Sequence, residues 1–353
     1  MLSWNDHGAR PSKRILCHSF LITMRSPTQP ERRAFIQLLS SVGASMATPA
    51  WAQTLRSRPA TPAVHTRLIP SSGEPIPAVG MGSWLTFDIA ASGNAAVTVD
   101  ALRLVLQTFF DRGGSLIDTS PMYGSSEQVI GDLLRPGGNA ITGRERVFAA
   151  TKVWTIGEAA GRGQLEESMS LWRSGARALP GNPKFDLVQI HNMMDWQTHL
   201  RTLKTWKAEG RIKYLGITTS HGRRYDDLEV AMKRERFDFV QFTYNLAERA
   251  AESRLLPLAL ERGAAVIVNR PFDGGELFRR IRAKAIPPWA TEIGCKTWAD
   301  YFLKFIISQP AVTCAIPATS RADHMAQNMN ALQGPMPDAA MRRRMAEAWD
   351  KGS

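Results

Sequence analysis

Four polar residues stand just past the ends of three short apolar runs: Asp118 and Tyr123 in IDTSPMYGSSE, Lys152 in AATKVW, and His191 in LVQIHN. A phenol is a poor acid at neutral pH, with a reference pKa of about 10. A lysine cation beside it favours the phenolate and lowers that value, and an aspartate beside the lysine keeps the cation charged and aimed. Tyr123, Lys152 and Asp118 therefore read as a proton donor with its tuning pair, and His191 as a group that orients a carbonyl oxygen or completes the proton path. Singly, each has a plainer reading: packing for Tyr123, a surface ion pair for Lys152, a core imidazole for His191, a turn for Asp118 ahead of Thr119 and Ser120. Delivery of all four by three consecutive strand-like runs favours a joint role at one end of a parallel barrel, where such barrels keep their chemistry.

The rest of the chain supplies the elements needed to position them. Apolar runs predict strands over 76–84, 115–120, 147–153, 186–191, 212–220, 239–245, 265–271 and 313–320. Helical spacing fills the gaps over 97–111, 164–178, 198–209, 224–234, 252–261, 298–308 and 321–332. Strands alternating with helices imply a parallel sheet. Eight strands with none left over, and no GxGxxG after the first, favour an (α/β)8 TIM barrel over an open doubly wound sheet. Residues 67–77 read as a hairpin around Ser71-Ser72-Gly73-Glu74 that caps the closed end of the barrel. The stretch between Pro271 and Trp298 is long for a compact domain and reads as a lid or binding loop.

The motifs IDTSPMYGSSEQVIGDLL, ATKVW, LVQIHN, LGITTS, VQFTYN, NRPFDGGELF and CAIPATSRADHMAQNMNAL resemble those of the aldo-keto reductases, in order and spacing, from about Arg67 to Leu332. The resemblance implies NADPH-dependent reduction of an aldehyde or ketone without a metal. Tyr123 is then the general acid, Lys152 and Asp118 tune it, and His191 orients the carbonyl. It also implies cofactor contacts. Gln241 and Tyr244 match residues that contact the nicotinamide, the tyrosine by stacking. Thr218 and Thr219 stand where the family has serine then asparagine, although a hydroxyl still bonds an amide. Asn269, Arg270, Pro271, Phe272, Gly274, Gly275 and Leu277 match the loop over the pyrophosphate. Ile316, Pro317, Ala318, Thr319, Ser320 and Arg321 lead into a helix whose free N–H groups suit a phosphate. Arg321 is the expected partner of a 2′-phosphate, its alternative being a solvated arginine, and NADP is thereby favoured over NAD. Gln327 and Asn328 match adenine contacts. An alternative within the same family is a cofactor-sensing or accessory subunit with little turnover.

Trp84, Met122 and Trp154 suggest an apolar rim for the substrate, or else packing under loops. The last residues, 334–353, read as one short basic helix, which leaves the pocket open. At the other end, Arg32-Arg33, a modestly apolar stretch and Ala50-Trp51-Ala52 resemble a twin-arginine export signal with cleavage before Gln53. The expected organisation is a signal and extension over 1–52, a linker over 53–66 and the barrel over 67–333. Met24 is an alternative initiator. The expected location is periplasmic, after export of a folded chain by the twin-arginine machinery, with a cytoplasmic alternative. The apolar stretch is too short and polar for a stable membrane span. The chain's net charge is +12, and the six basic and two acidic residues of the first 52 leave about +8 for the rest. That charge is spread through the helices, which argues against nucleic-acid binding. Of three cysteines, Cys295 and Cys314 follow residue 52, and nothing in their spacing suggests a disulfide or a metal site. A monomer is the expected state.

Overall fold

The computed structural model describes residues 64–89, 97–137, 140–172, 185–282 and 284–352. The expected export signal, most of the expected linker, and the end of the helix expected over 164–178 lie outside the described residues.

The chain opens with β1 (Thr66–Leu68) and β2 (Pro75–Pro77), paired antiparallel with Thr66 opposite Pro77. This is the expected hairpin, and it buries Ile69 and Ile76. The strand expected over 76–84 is therefore divided. Its start completes the hairpin, Pro77 has no N–H to offer a ladder, and the barrel begins at β3 (Met81–Gly82).

Seven further strands follow: β4 (Leu116–Asp118), β5 (Phe148–Val153), β6 (Phe185–Ile190), β7 (Ile212–Thr218), β8 (Phe239–Thr243), β9 (Ala265–Asn269) and β10 (Val312–Ala315). They pair in parallel in chain order from β3 to β10. Bridges from Val79 to Ala315 and from Gly82 to Ala318 join the two edges. This is the expected (α/β)8 barrel. Gly82 permits the last approach, since a Cβ there would sit 3.0 Å from the Ile316 carbonyl oxygen.

The helices are α1 (Val99–Asp111), α2 (Ser126–Leu133), α3 (Glu158–Trp172), α4 (Trp196–Ala208), α5 (Tyr225–Arg234), α6 (Leu255–Arg262), α7 (Glu276–Ile281), α8 (Trp298–Ile307), α9 (Ala322–Asn330) and α10 (Ala339–Asp350). Helix α8 starts in a capping box: Thr297 Oγ1 accepts the Asp300 N–H at 3.2 Å, and Asp300 Oδ2 accepts the Thr297 N–H at 2.9 Å. The short helices α2 and α7 were not expected. The insertion after β9 holds α7 and a 3-10 turn over Pro288–Ile293.

Side chains alternate across each strand, and this period of two separates two cores. Leu116, Phe148, Ala150, Leu187, Tyr214, Phe239, Ala265, Ile267, Cys314 and Ile316 fill the barrel with Ile69 and Ile76 of the hairpin. Ile117, Ala149, Val153, Val188, Ile190, Leu215, Ile217, Val240, Phe242, Val266 and Val268 pack outward against the helices. At the C-terminal end of the strands the inward register becomes polar, placing Asp118, Lys152, Gln189, Gln241 and Asn269 over the apolar filling.

Candidate active site

Lys152 and Asp118 form a buried ion pair in that polar layer, with side-chain exposures of 0% and 2% and an Nζ–Oδ2 distance of 2.5 Å. Such a pair survives burial only when its remaining hydrogen-bonding capacity is met. Here Lys152 also donates to the Thr119 carbonyl at 2.8 Å. Asp118 Oδ1 accepts from Gln189 Nε2 at 2.9 Å and from Gln241 Nε2 at 3.1 Å. Gln189 was not anticipated, although its place two residues before His191 put it on the inward register.

Tyr123 follows β4 in a turn whose N–H bonds the Ser120 carbonyl at 2.9 Å. Lys152 Nζ lies 5.0 Å from the centre of its ring. Burial works against the Lys152 cation, but Asp118 and Tyr123 outweigh it and hold its pKa above the ordinary lysine value. Burial likewise raises the Tyr123 phenol, and the Lys152 charge pulls it down without cancelling that rise. The net direction corrects the sequence expectation of a lowered phenol: a tyrosine half-enclosed by protein keeps its proton. His191 opens a 3-10 turn after β6. Its ring lies edge-on to Tyr123, with centroids 5.6 Å apart, and Nδ1 stands 2.9 Å from Ser120 Oγ. Burial, helped by the Lys152 charge, pushes its pKa down to about 2, so the imidazole is neutral.

Tyr123, His191 and Asp118 face one cavity of about 650 Å³. Thr218, Gln241, Asn269, Arg270, Pro271, Phe272, Gly274, Gly275, Ile316, Pro317, Ala318, Thr319, Gln327 and Asn328 line it, with Trp84 and Met122 on its rim. Leu85, His221, Phe278 and His324 also line it, unanticipated. Lys152 sits behind the phenol rather than in the wall. Trp154 is 37% exposed and stands 6.5 Å from the His191 ring, beside the cavity.

Other expected contacts fall outside it. Tyr244 cannot stack on a group in this cavity: it continues the outward register of Val240 and Phe242, is fully buried, and stacks on Phe305 at 5.8 Å. Its hydroxyl meets Glu252 and Arg342 instead. Leu277 is buried in the outer core as the inner face of α7. The Thr219 hydroxyl is spent on the Arg223 carbonyl at 2.5 Å. Ser320 is half-buried and outside the cavity wall. The side chain of Arg321 is 63% exposed and pairs with Asp323 through Nη2 at 2.6 Å and Nε at 3.0 Å.

Arg270 gives the cavity a cation suited to an anionic group. Its Nη2 donates to Asp273 at 2.9 Å, while its buried Nε has no hydrogen-bond partner among the described residues. Gly274 and Gly275 adopt φ of 64° and 94°, which turns the loop tightly around that cation. Among the described residues no three His, Cys, Asp or Glu side chains gather to hold a metal ion, and no helix is long and apolar enough to cross a membrane.

Residues 78–346 match the model of the aldo/keto reductase family. The chain belongs to that family. It is 28% identical over 237 residues to the NADH-specific methylglyoxal reductase of Escherichia coli, covering 59% of this chain and 68% of that protein. It is 25% identical over 193 residues to the aldo-keto reductase YhdN of Bacillus subtilis, covering 51% and 54% of the two chains. A solved aldo/keto reductase of Klebsiella pneumoniae, in complex with NADP and acetate, superposes with a TM-score of 0.63 at 25% identity, over 78% of this chain and 93% of that one. As an aldo/keto reductase the chain is an oxidoreductase of the nicotinamide-dependent kind, and the Arg270 loop and the cavity walls fit such a cofactor.

Proposed function

We propose that this chain reduces the carbonyl of an aldehyde or ketone to an alcohol, with NADPH as the hydride source and Tyr123 as the proton donor. The observation that carries this reading is the meeting of Tyr123, His191 and Asp118 at one cavity, with Lys152 paired to Asp118 behind the phenol. A nicotinamide held there would supply the hydride for the carbonyl carbon. The chain's own residues manage the oxygen. Neutral His191 offers an N–H to it, and Tyr123 releases its proton as negative charge builds there. The phenolate left behind is stabilised by Lys152, whose own charge is held by Asp118 and the Thr119 carbonyl.

Thr218 and Gln241 would hold the nicotinamide end, Asn269 to Gly275 the pyrophosphate, and Gln327 and Asn328 the adenine. Preference for NADPH rests on Arg321. Its pairing with Asp323, and the NADH specificity of the Escherichia coli relative, keep NADH as the competitor. Export by the twin-arginine route belongs to the same proposal.

The test is NADPH and NADH consumption against a panel of aldehydes, ketones and quinones, beside Tyr123→Phe. The expected outcome is a fall in kcat of about a thousandfold in the variant, with cofactor affinity retained. Turnover unchanged in Tyr123→Phe would sink the reading. Tight cofactor binding without turnover on any compound would favour a sensing or accessory role.

A further inference from the structure

Ser120 has no part in the chemistry so far, yet it is fully buried and touches His191. Its hydroxyl makes two contacts: it accepts the Met122 N–H at 3.2 Å and faces His191 Nδ1 at 2.9 Å. A hydroxyl has one proton and two lone pairs. The Met122 contact uses a lone pair, so the proton is left for Nδ1. A neutral imidazole that accepts at Nδ1 carries its own proton on Nε2. The opposite tautomer would set Nδ1–H against Ser120 Oγ and leave a buried hydroxyl proton without an acceptor, which burial penalises. The surroundings offer Nδ1 no stronger donor: the His191 ring packs against Tyr123 and Trp154, and the nearby Lys152 cation is committed to Asp118 and Thr119.

We propose that Ser120 is a positioning residue that fixes His191 in the Nε2–H tautomer, so that the imidazole donates toward a substrate carbonyl and offers no lone pair to the Tyr123 hydroxyl. The distinction matters for catalysis. An Nε2 lone pair beside the phenol would compete for the proton that Tyr123 must deliver, whereas an Nε2–H adds a second donor to the same oxygen. This inference rests on the roles proposed for Tyr123 and His191, but the tautomer itself is observable without turnover.

The experiment uses the full chain with nitrogen-15-labelled histidine and two-bond proton–nitrogen correlation spectra at neutral pH. The His191 signals are assigned by their loss in His191→Gln. The expected wild-type pattern has Nε2 protonated and Nδ1 bare. Ser120→Thr, which keeps the hydroxyl, preserves that pattern. Ser120→Ala yields a tautomer mixture, and kcat falls about tenfold, on the scale of one lost hydrogen bond, while the cofactor KM stays within twofold. A wild-type His191 protonated on Nδ1 overturns the proposal, as does a Ser120→Ala protein with unchanged spectrum and kcat. Should Ser120→Ala not fold, the wild-type and Ser120→Thr spectra still decide. Failure of the carbonyl-reduction reading would show separately, as a Tyr123→Phe variant that turns over normally.

Discussion

Lys152 carries a full charge into a fully buried place, and the groups around it decide what the neighbouring phenol can do. Removing one member of a buried pair strands the other, so Asp118, Gln189 and Gln241 are structural as much as chemical. A second buried carboxylate, Glu127, stands behind this group. It accepts from Thr151 Oγ1 at 2.5 Å and Ser168 Oγ at 2.8 Å, which ties α2, the helix after the Tyr123 turn, to β5 and α3. Burial pushes its pKa up to about 6, against the pull of those hydroxyls. A carboxyl whose folded pKa is raised stabilises the fold most below its unfolded value, and that contribution is lost as pH rises through about 6. The shift is worth about 2 kcal/mol. Urea unfolding at pH 4 and pH 7.5 is therefore expected to show wild type losing about 2 kcal/mol more than Glu127→Gln over that interval. Equal losses in the two proteins would remove Glu127 from this role. Tyr123, Lys152, Asp118 and His191 were legible in the sequence because each ends an apolar run. The direction of the Tyr123 pKa was not, because the burial that sets it comes from elements distant in the chain.

Strand parity decides which of the expected strand residues face the cavity. Gln241 and Asn269 fall on the inward register and reach the cavity, while Tyr244 falls on the outward one and joins the outer core. Counting by twos from Gln241 would have placed Tyr244 outside. Helix α8 shows a different device. Lys304 is fully buried, and its Nζ donates to the carbonyls of Ile293, Gln333 and Pro335 at 2.6, 2.7 and 2.9 Å. One ammonium so joins the insertion after β9, α8 and the segment leading into α10. Lys304→Met keeps most of the stem's apolar contact but orphans three carbonyls, and is expected to cost about 3 kcal/mol in chemical unfolding. A loss below about 0.5 kcal/mol would mean that water satisfies those carbonyls as well as the lysine does.

At the scale of the whole molecule, the closed barrel gathers its chemistry at one mouth and leaves that mouth open. The tail helix α10 does not cover it. Met345 and Trp349 bury the helix against the outside of the barrel, and Arg342 donates to the Tyr244 hydroxyl at 2.6 Å and to Glu252 at 3.0 Å. The cavity wall includes no residue of α10. The proposed export route is a property of the full chain rather than of the barrel. On that reading, Arg32→Lys with Arg33→Lys is expected to retain the protein in the cytoplasm with its barrel folded and active. Unchanged partition between cellular fractions would place the reaction in the compartment of synthesis.

By itself the sequence determined the alternation of strands and helices, the closed barrel and the four residues at its mouth, because those follow from local periodicity and from where each apolar run ends. Tertiary structure decided what periodicity leaves open. It brought Gln189 and Gln241 onto Asp118. It set Ser120 against His191. Each of these depends on contacts between residues far apart in the chain, and burial, which sets their proton affinities, exists only once those contacts are made.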